Sequence, residues 1–297
     1  MLSHERSGSR PMPNNQMQRL AIFAASLSAA LAQDLPAQAG NDANFVLYNQ
    51  HTAEKGEKEI KLYSDFSNSG LEDGYSAQLL ELEYGITDRW TSALYFEGVK
   101  IDGESYDFGG WRFENRVRLF EERVPLNPVL YVEYEQLEPE HRYKTEVTGR
   151  TDAEEEEEEE STEHELETRL ILGEDLSKRL NVAFNWINEV NFDNGNWEFG
   201  YAAGLNYTLL SEESEHESAE SKGCDLEELK LGVELYGGLG DSDAGLTLDG
   251  SETEQYVGIN LKGELENGVE IGAGIALGLT NDSEDAIIRT MIGYEFK

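Results

Sequence analysis

Cysteine is almost missing from these 297 residues: Cys224 stands alone, so no internal disulfide can close the fold. No run of 18 apolar residues occurs and the mean hydropathy is -0.57, which excludes a bilayer-spanning helix. Basic residues are scarce. Lys and Arg number 23 against 61 Asp and Glu, and the net charge of -38 argues against nucleic acid or anionic lipid as a partner. The five histidines are His4, His51, His141, His164 and His216. None falls at the middle of an expected strand or beside an outward serine, so neither an enzyme nor a cofactor is expected.

What the chain has is alternation of period two. In Tyr75 to Tyr84, Leu80, Leu82 and Tyr84 fall on one face and Ala77, Leu79, Glu81 and Glu83 on the other, which is a strand with one apolar side. Gly85 to Arg89 supply turn chemistry, and alternation resumes with Leu94 and Phe96 opposite Ala93, Tyr95 and Glu97. Tyr84 and Trp90 bracket that turn on the apolar face, where a membrane interface selects aromatics whose polar tip needs water.

Upstream, Met17 to Ala32 has a basic start at Arg19, an apolar stretch and a small-x-small close at Ala30-Leu31-Ala32. Residues 1–32 are therefore expected to be a secretory signal, with Met1, Met12 or Met17 as possible starts; a buried N-terminal helix is the alternative. Residues 33–58 are expected to be a periplasmic leader or a plug. From Glu59 onward the chain reads as about twelve strands: 59–66, 75–86, 90–99, 109–120, 128–138, 164–175, 179–191, 196–209, 228–239, 253–263, 268–280 and 285–297. Joints at 86–89, 177–179 and 264–268 are short, whereas 101–108, 139–163 and 240–252 are longer, acidic or Gly-rich. Short turns on one side and longer loops on the other describe a transmembrane antiparallel up-and-down β-barrel in a bacterial outer membrane. The segment 210–227 resists, being long and acidic on the short-turn side.

Magnitude decides the register. In Trp111 to Leu119 the odd positions are mostly apolar and the even ones are Arg112, Glu114, Arg116 and Arg118. An Arg facing lipid at the midplane costs roughly 2–4 kcal/mol, so the even face points inward. The same reading turns Glu133, Glu135, Glu165, Glu167 and Arg169 inward, and with them Lys61, Glu81, Glu83, Glu97, Glu189, Glu198, Lys230, Glu234, Lys262, Glu270, Arg289 and Glu295. The wall is expected to be apolar, the lumen ionic, with opposite charges meeting across neighbouring strands.

A soluble β-sandwich would also alternate. Against it stand the signal, the long run of similar strands without a disulfide, and the ending Ile292-Gly-Tyr294-Glu-Phe296-Lys297. That ending has the form outer-membrane assembly machinery reads through Tyr294 and Phe296, with Lys297 as a departure. Together with Tyr84-Gly-Ile-Thr-Asp-Arg-Trp90, Gly110-Trp-Arg-Phe113, Leu119-Phe120 and Trp197 to Leu205, it resembles the bacterial outer-membrane barrels grouped as transporters of the phenol-degradation meta-pathway type. The resemblance covers about residues 57 to 297 and implies fold, location and small-molecule transport, with no set of functional residues.

Seven consecutive glutamates, Glu154 to Glu160, repel one another and bury nothing, so they read as solvated loop rather than as a metal site. Such loops could gather the divalent cations that bridge lipopolysaccharide, which with outer-membrane lipid and small solutes completes the expected partners. Two functions remain open. One is a narrow channel passing small polar, ionic or aromatic solutes; the other is a closed scaffold displaying acidic loops for adhesion or cation gathering.

Overall fold

The computed structural model describes residues 43–67, 75–100, 106–121, 123–138, 148–149, 162–211, 226–242, 245–247 and 253–296. The expected signal, the poly-Glu insert, most of 210–227 with Cys224, and Lys297 lie outside them.

Alternation produces strands where it was read. They are β1 (Lys58–Ser67), β2 (Ser76–Thr87), β3 (Trp90–Lys100), β4 (Asp107–Arg118), β5 (Val129–Leu137), β6 (Glu163–Ser177), β7 (Leu180–Asn191), β8 (Trp197–Ser211), β9 (Leu226–Asp241), the two-residue β10 (Gly245–Leu246), β11 (Gln255–Leu265), β12 (Val269–Gly278) and β13 (Ala286–Glu295). All pairings are antiparallel. Twelve strands form the wall, while β10 pairs only with the end of β9. β1 pairs with β13 and β8 with β9, so the sheet closes and no wall strand keeps a free edge.

Closure sorts the two faces. Leu62, Leu82, Phe96, Phe113, Leu130, Leu170, Phe184, Leu235, Ile259, Ile271 and Ile292 are all exposed on the outer wall, far more apolar surface than a soluble protein leaves wet. From Tyr84 to Ser76, the partner of Phe66, β2 runs about 27 Å at the usual rise, or roughly 21 Å of depth at a tilt near 40°. That is close to the apolar band of an outer-membrane barrel. At its rims Trp90 donates to Asn115 at 3.0 Å and Trp111 to Gln136 at 3.0 Å, so each indole keeps a polar partner.

One expectation about the interior is corrected and another is narrowed. The lumen is not uniformly ionic: Tyr75, Ala77, Leu79, Ala93, Tyr95 and Val99 cluster inside it, and Ala183, Ala202, Tyr236, Tyr256, Ala276 and Ile287 form a second apolar group. Opposite charges do meet across neighbouring strands, as Asp65 with Arg289 and Arg112 with Glu135, but this is not the whole pattern. Glu114, Glu133, Glu167, Glu189 and Glu198 lie directly opposite one another in turn, from β4 to β8. The cations of Glu114 and Glu167 lie two residues along the same strand, and that of Glu133 sits diagonally on the next one.

Candidate functional site

The lumen is the site, and its charges are set by the inward face of each strand. Arg112 pairs with Glu97 and reaches Glu135 at 3.3 Å and Glu133 at 3.7 Å. Arg116 pairs with Glu83 and, at 2.6 Å, with Glu114. Arg169 holds Glu167, its neighbour two residues back, while Tyr131 and Tyr48 stack on its guanidinium at 4.8 and 5.2 Å. Arg289 takes both oxygens of Asp65 at 2.7 and 2.8 Å. Lys61 pairs with Glu59, Lys230 with Glu228 at 2.8 Å and Lys262 with Glu270 at 3.0 Å. Glu81 accepts from Tyr63 at 2.9 Å and lies 3.1 Å from the Tyr95 hydroxyl.

Of the remaining residues expected in the lumen, Glu165, Glu189 and Glu234 are buried as well, while Glu198 and Glu295 are half-buried. Arg118 is also only half-buried, at the rim by the short turns, and donates to the Asp88 carbonyl at 2.8 Å. Among the described residues sixteen buried carboxylates stand against seven buried cations, so the interior is strongly acidic. Glu135, Glu167 and Glu189 bring carboxylate oxygens within 4.8 Å of one another, as do Glu57, Glu59 and Glu295, and oxygen sets of this kind suit a hard divalent cation.

The lumen also holds a segment of the chain itself. Residues 43–53 carry no Asp, Glu, Lys or Arg and show no alternation that would give them a place in the wall. They lie inside it. The Glu234 carboxylate accepts the successive backbone N–H groups of Phe45, Val46 and Leu47 at 3.1, 3.1 and 3.0 Å. Asn185 accepts from Tyr48 N–H and donates to Tyr48 C=O, both at 2.8 Å. Arg169 donates to the Val46 carbonyl at 2.9 Å, and the Tyr48 hydroxyl donates to Glu114 at 3.1 Å. Val46 and Leu47 pack into the second apolar group.

Both ends of this segment lie near the mouth bearing the short turns. Ala43 N–H donates to Asn206 at 3.0 Å, two residues along β8 from Thr208, which bonds to the turn residue Arg179. At the other end His51 meets Asp175 at 3.1 Å, Ala53 N–H donates to Thr91 at 2.9 Å, and Gly56 and Glu57 exchange backbone bonds with Gly85. The segment is thus a loop that enters, reaches mid-barrel at 45–48 and returns. The cavity left beside it, lined by Lys61, Tyr63, Glu81, Glu83 and Arg116, is only about 60 Å³, room for a few waters. Over the opposite mouth Thr148 bonds to Glu198 at 2.8 Å, and Gly149 bridges to Gly240.

No protein-family model matches the sequence, and no curated protein is similar to it. Among solved structures the chain is similar to the KdgM porin in complex with disordered oligogalacturonate, at 9% identity over 80% of this chain and 99% of that one, with a TM-score of 0.50. An outer-membrane channel from Pseudomonas putida F1 (13% identity, 82% and 97% coverage, TM-score 0.45) and the NanC porin (9%, 80% and 99%, 0.46) are also similar. The likeness to KdgM agrees with the architecture described above: a closed antiparallel barrel whose apolar outer wall is that of an outer-membrane protein.

Proposed function

We propose that the protein is an outer-membrane channel that favours small cationic solutes. The observation that carries this reading is the arc of Glu114, Glu133, Glu167, Glu189 and Glu198, contributed by five consecutive strands and set in an interior with an excess of carboxylates. Rows of fixed carboxylates in a low-dielectric wall attract cations and repel anions, which is how acidic rings set selectivity in pores. The arginines that interrupt the row hold it in shape. Each is stacked or bonded to several neighbours, so the carboxylates keep fixed positions while the total charge stays negative.

Planar-bilayer recording of the refolded protein across a salt gradient tests the reading. Unitary steps with a reversal potential on the cation side are expected. Steps with anion preference would remove the role given to the glutamate arc, and silence from folded protein would favour the scaffold displaying acidic loops.

A further inference from the structure

The inner wall contains a seat cut to the shape of residues 43–54. Five inward glycines on five different strands, Gly85 of β2, Gly173 of β6, Gly204 of β8, Gly232 of β9 and Gly274 of β12, face this segment. A Cβ on Gly85 would overlap the Glu54 carbonyl, one on Gly173 the Gln50 side chain, and one on Gly232 that of Asn44. On Gly274 it would stand 2.7 Å from the Phe45 ring, and on Gly204 it would come within 3.1 Å of Leu47. At Gly85, Gly173 and Gly232 any other residue would meet the segment first, whereas at Gly204 and Gly274 the Val233 carbonyl and the Asn260 side chain of the wall stand nearer still. The glycines form the floor of the seat, and Glu234, buried and aimed at three successive N–H groups, is its anchor.

The occupant is bound in a way that permits release. The bonds described between residues 43–53 and the wall run through side chains, whereas each wall strand is fixed by backbone ladders on both sides. A loop whose two ends share one mouth can withdraw without dragging the chain through the barrel. We propose that the lumen carries a binding site for an extended peptide, that its ligand is the chain's own residues 43–53, and that this plug leaves through the short-turn mouth to open the path. The inference rests on the channel reading, since an opening matters only if solute passes.

The test uses the full chain with Cys224→Ser and Val46→Cys, refolded into vesicles and exposed to a charged, membrane-impermeant maleimide. Val46 is 2% exposed, so the parent should label slowly. Glu234→Ala removes the acceptor of three backbone bonds and should speed labelling about 10-fold or more. Gly232→Val, which fills the place of the Asn44 side chain, should do the same and serves if the first variant fails to fold. Heat-shifted gel mobility confirms the barrel in each.

Equal labelling rates in parent and folded variants would overturn the proposal, even if the protein conducts. Faster labelling with no bilayer current would leave the removable plug standing and refute the channel. Faster labelling with more frequent opening is the expected outcome.

Discussion

Replacing Arg169 with Met tests whether the middle of the barrel is dry. Arg169 is 1% exposed, pairs with Glu167, donates to the Val46 carbonyl and lies under two tyrosine rings. Methionine fills much of the same space but carries no charge. Glu167 would then sit buried without its guanidinium, directly opposite Glu133 and Glu189. Breaking a buried pair from one side costs about 3–5 kcal/mol. Losing the donor to a buried carbonyl adds about 1–3 kcal/mol, and the stacked rings lose about 0.5–2 kcal/mol each. These terms share one side chain and do not sum, so a net loss of about 4–6 kcal/mol is expected. Urea unfolding in vesicles, followed by tryptophan fluorescence, measures it. Adding Glu167→Gln should recover about half, because the stranded charge is gone. A loss under about 1 kcal/mol, or no recovery in the double variant, would mean that water reaches the pair and the dry-interior argument is wrong.

Other outcomes follow from the same geometry. Arg116→Glu turns one of seven buried cations into a further carboxylate, so the reversal potential should move toward cations; an unmoved potential would show that this row does not line the path. Burial raises the Glu57 carboxyl to about 7 from its ordinary 4.5. The fold therefore favours the neutral form, and its stabilisation is full below about pH 4.5 and lost as pH rises through about 7. Glu57 accepts from Glu54 N–H at the root of the plug, so labelling at position 46, divided by that of a free thiol at the same pH, should quicken between about pH 5 and pH 8, and Glu57→Gln should flatten that ratio. Gly85→Ala drives a methyl into the Glu54 carbonyl and should cost about 1–3 kcal/mol by the same unfolding assay. Unaltered stability would show that the root can shift freely.

Most of the wall was legible because lipid and lumen impose opposite demands on alternate residues. The reading of 75–86 and 90–99 meets β2 at Ser76–Thr87 and β3 at Trp90–Lys100, and the inward turn of Arg112 and Arg116 follows from the cost of charge in lipid. The cross-strand arrangement was harder. Alternation fixes which face a residue takes but not which residue of the next strand lies opposite, so the glutamate arc appears only once the strands are aligned. The plug had a signal of another kind: residues 43–53 lack Asp, Glu, Lys and Arg in a chain with 61 acids, as suits a segment packed inside a charged lumen. The seat itself was hidden. A strand glycine such as Gly204 or Gly232 gives no indication in sequence of what approaches it.

The pairing of β1 with β13 has a consequence for how the molecule is made. Glu59 and Glu295 meet although 236 positions separate them in sequence, and closing so long a loop costs about 5 kcal/mol in chain entropy before the first bond of that ladder forms. Nine residue pairs then offset the cost together, so the seam forms as a unit or not at all. The wall strand that comes last in sequence order is the one that completes the cylinder. A nascent or truncated chain ending before Ala286 would present two bare strand edges, on β1 and β12, and be prone to edge-to-edge aggregation until the ten residues of β13 arrive.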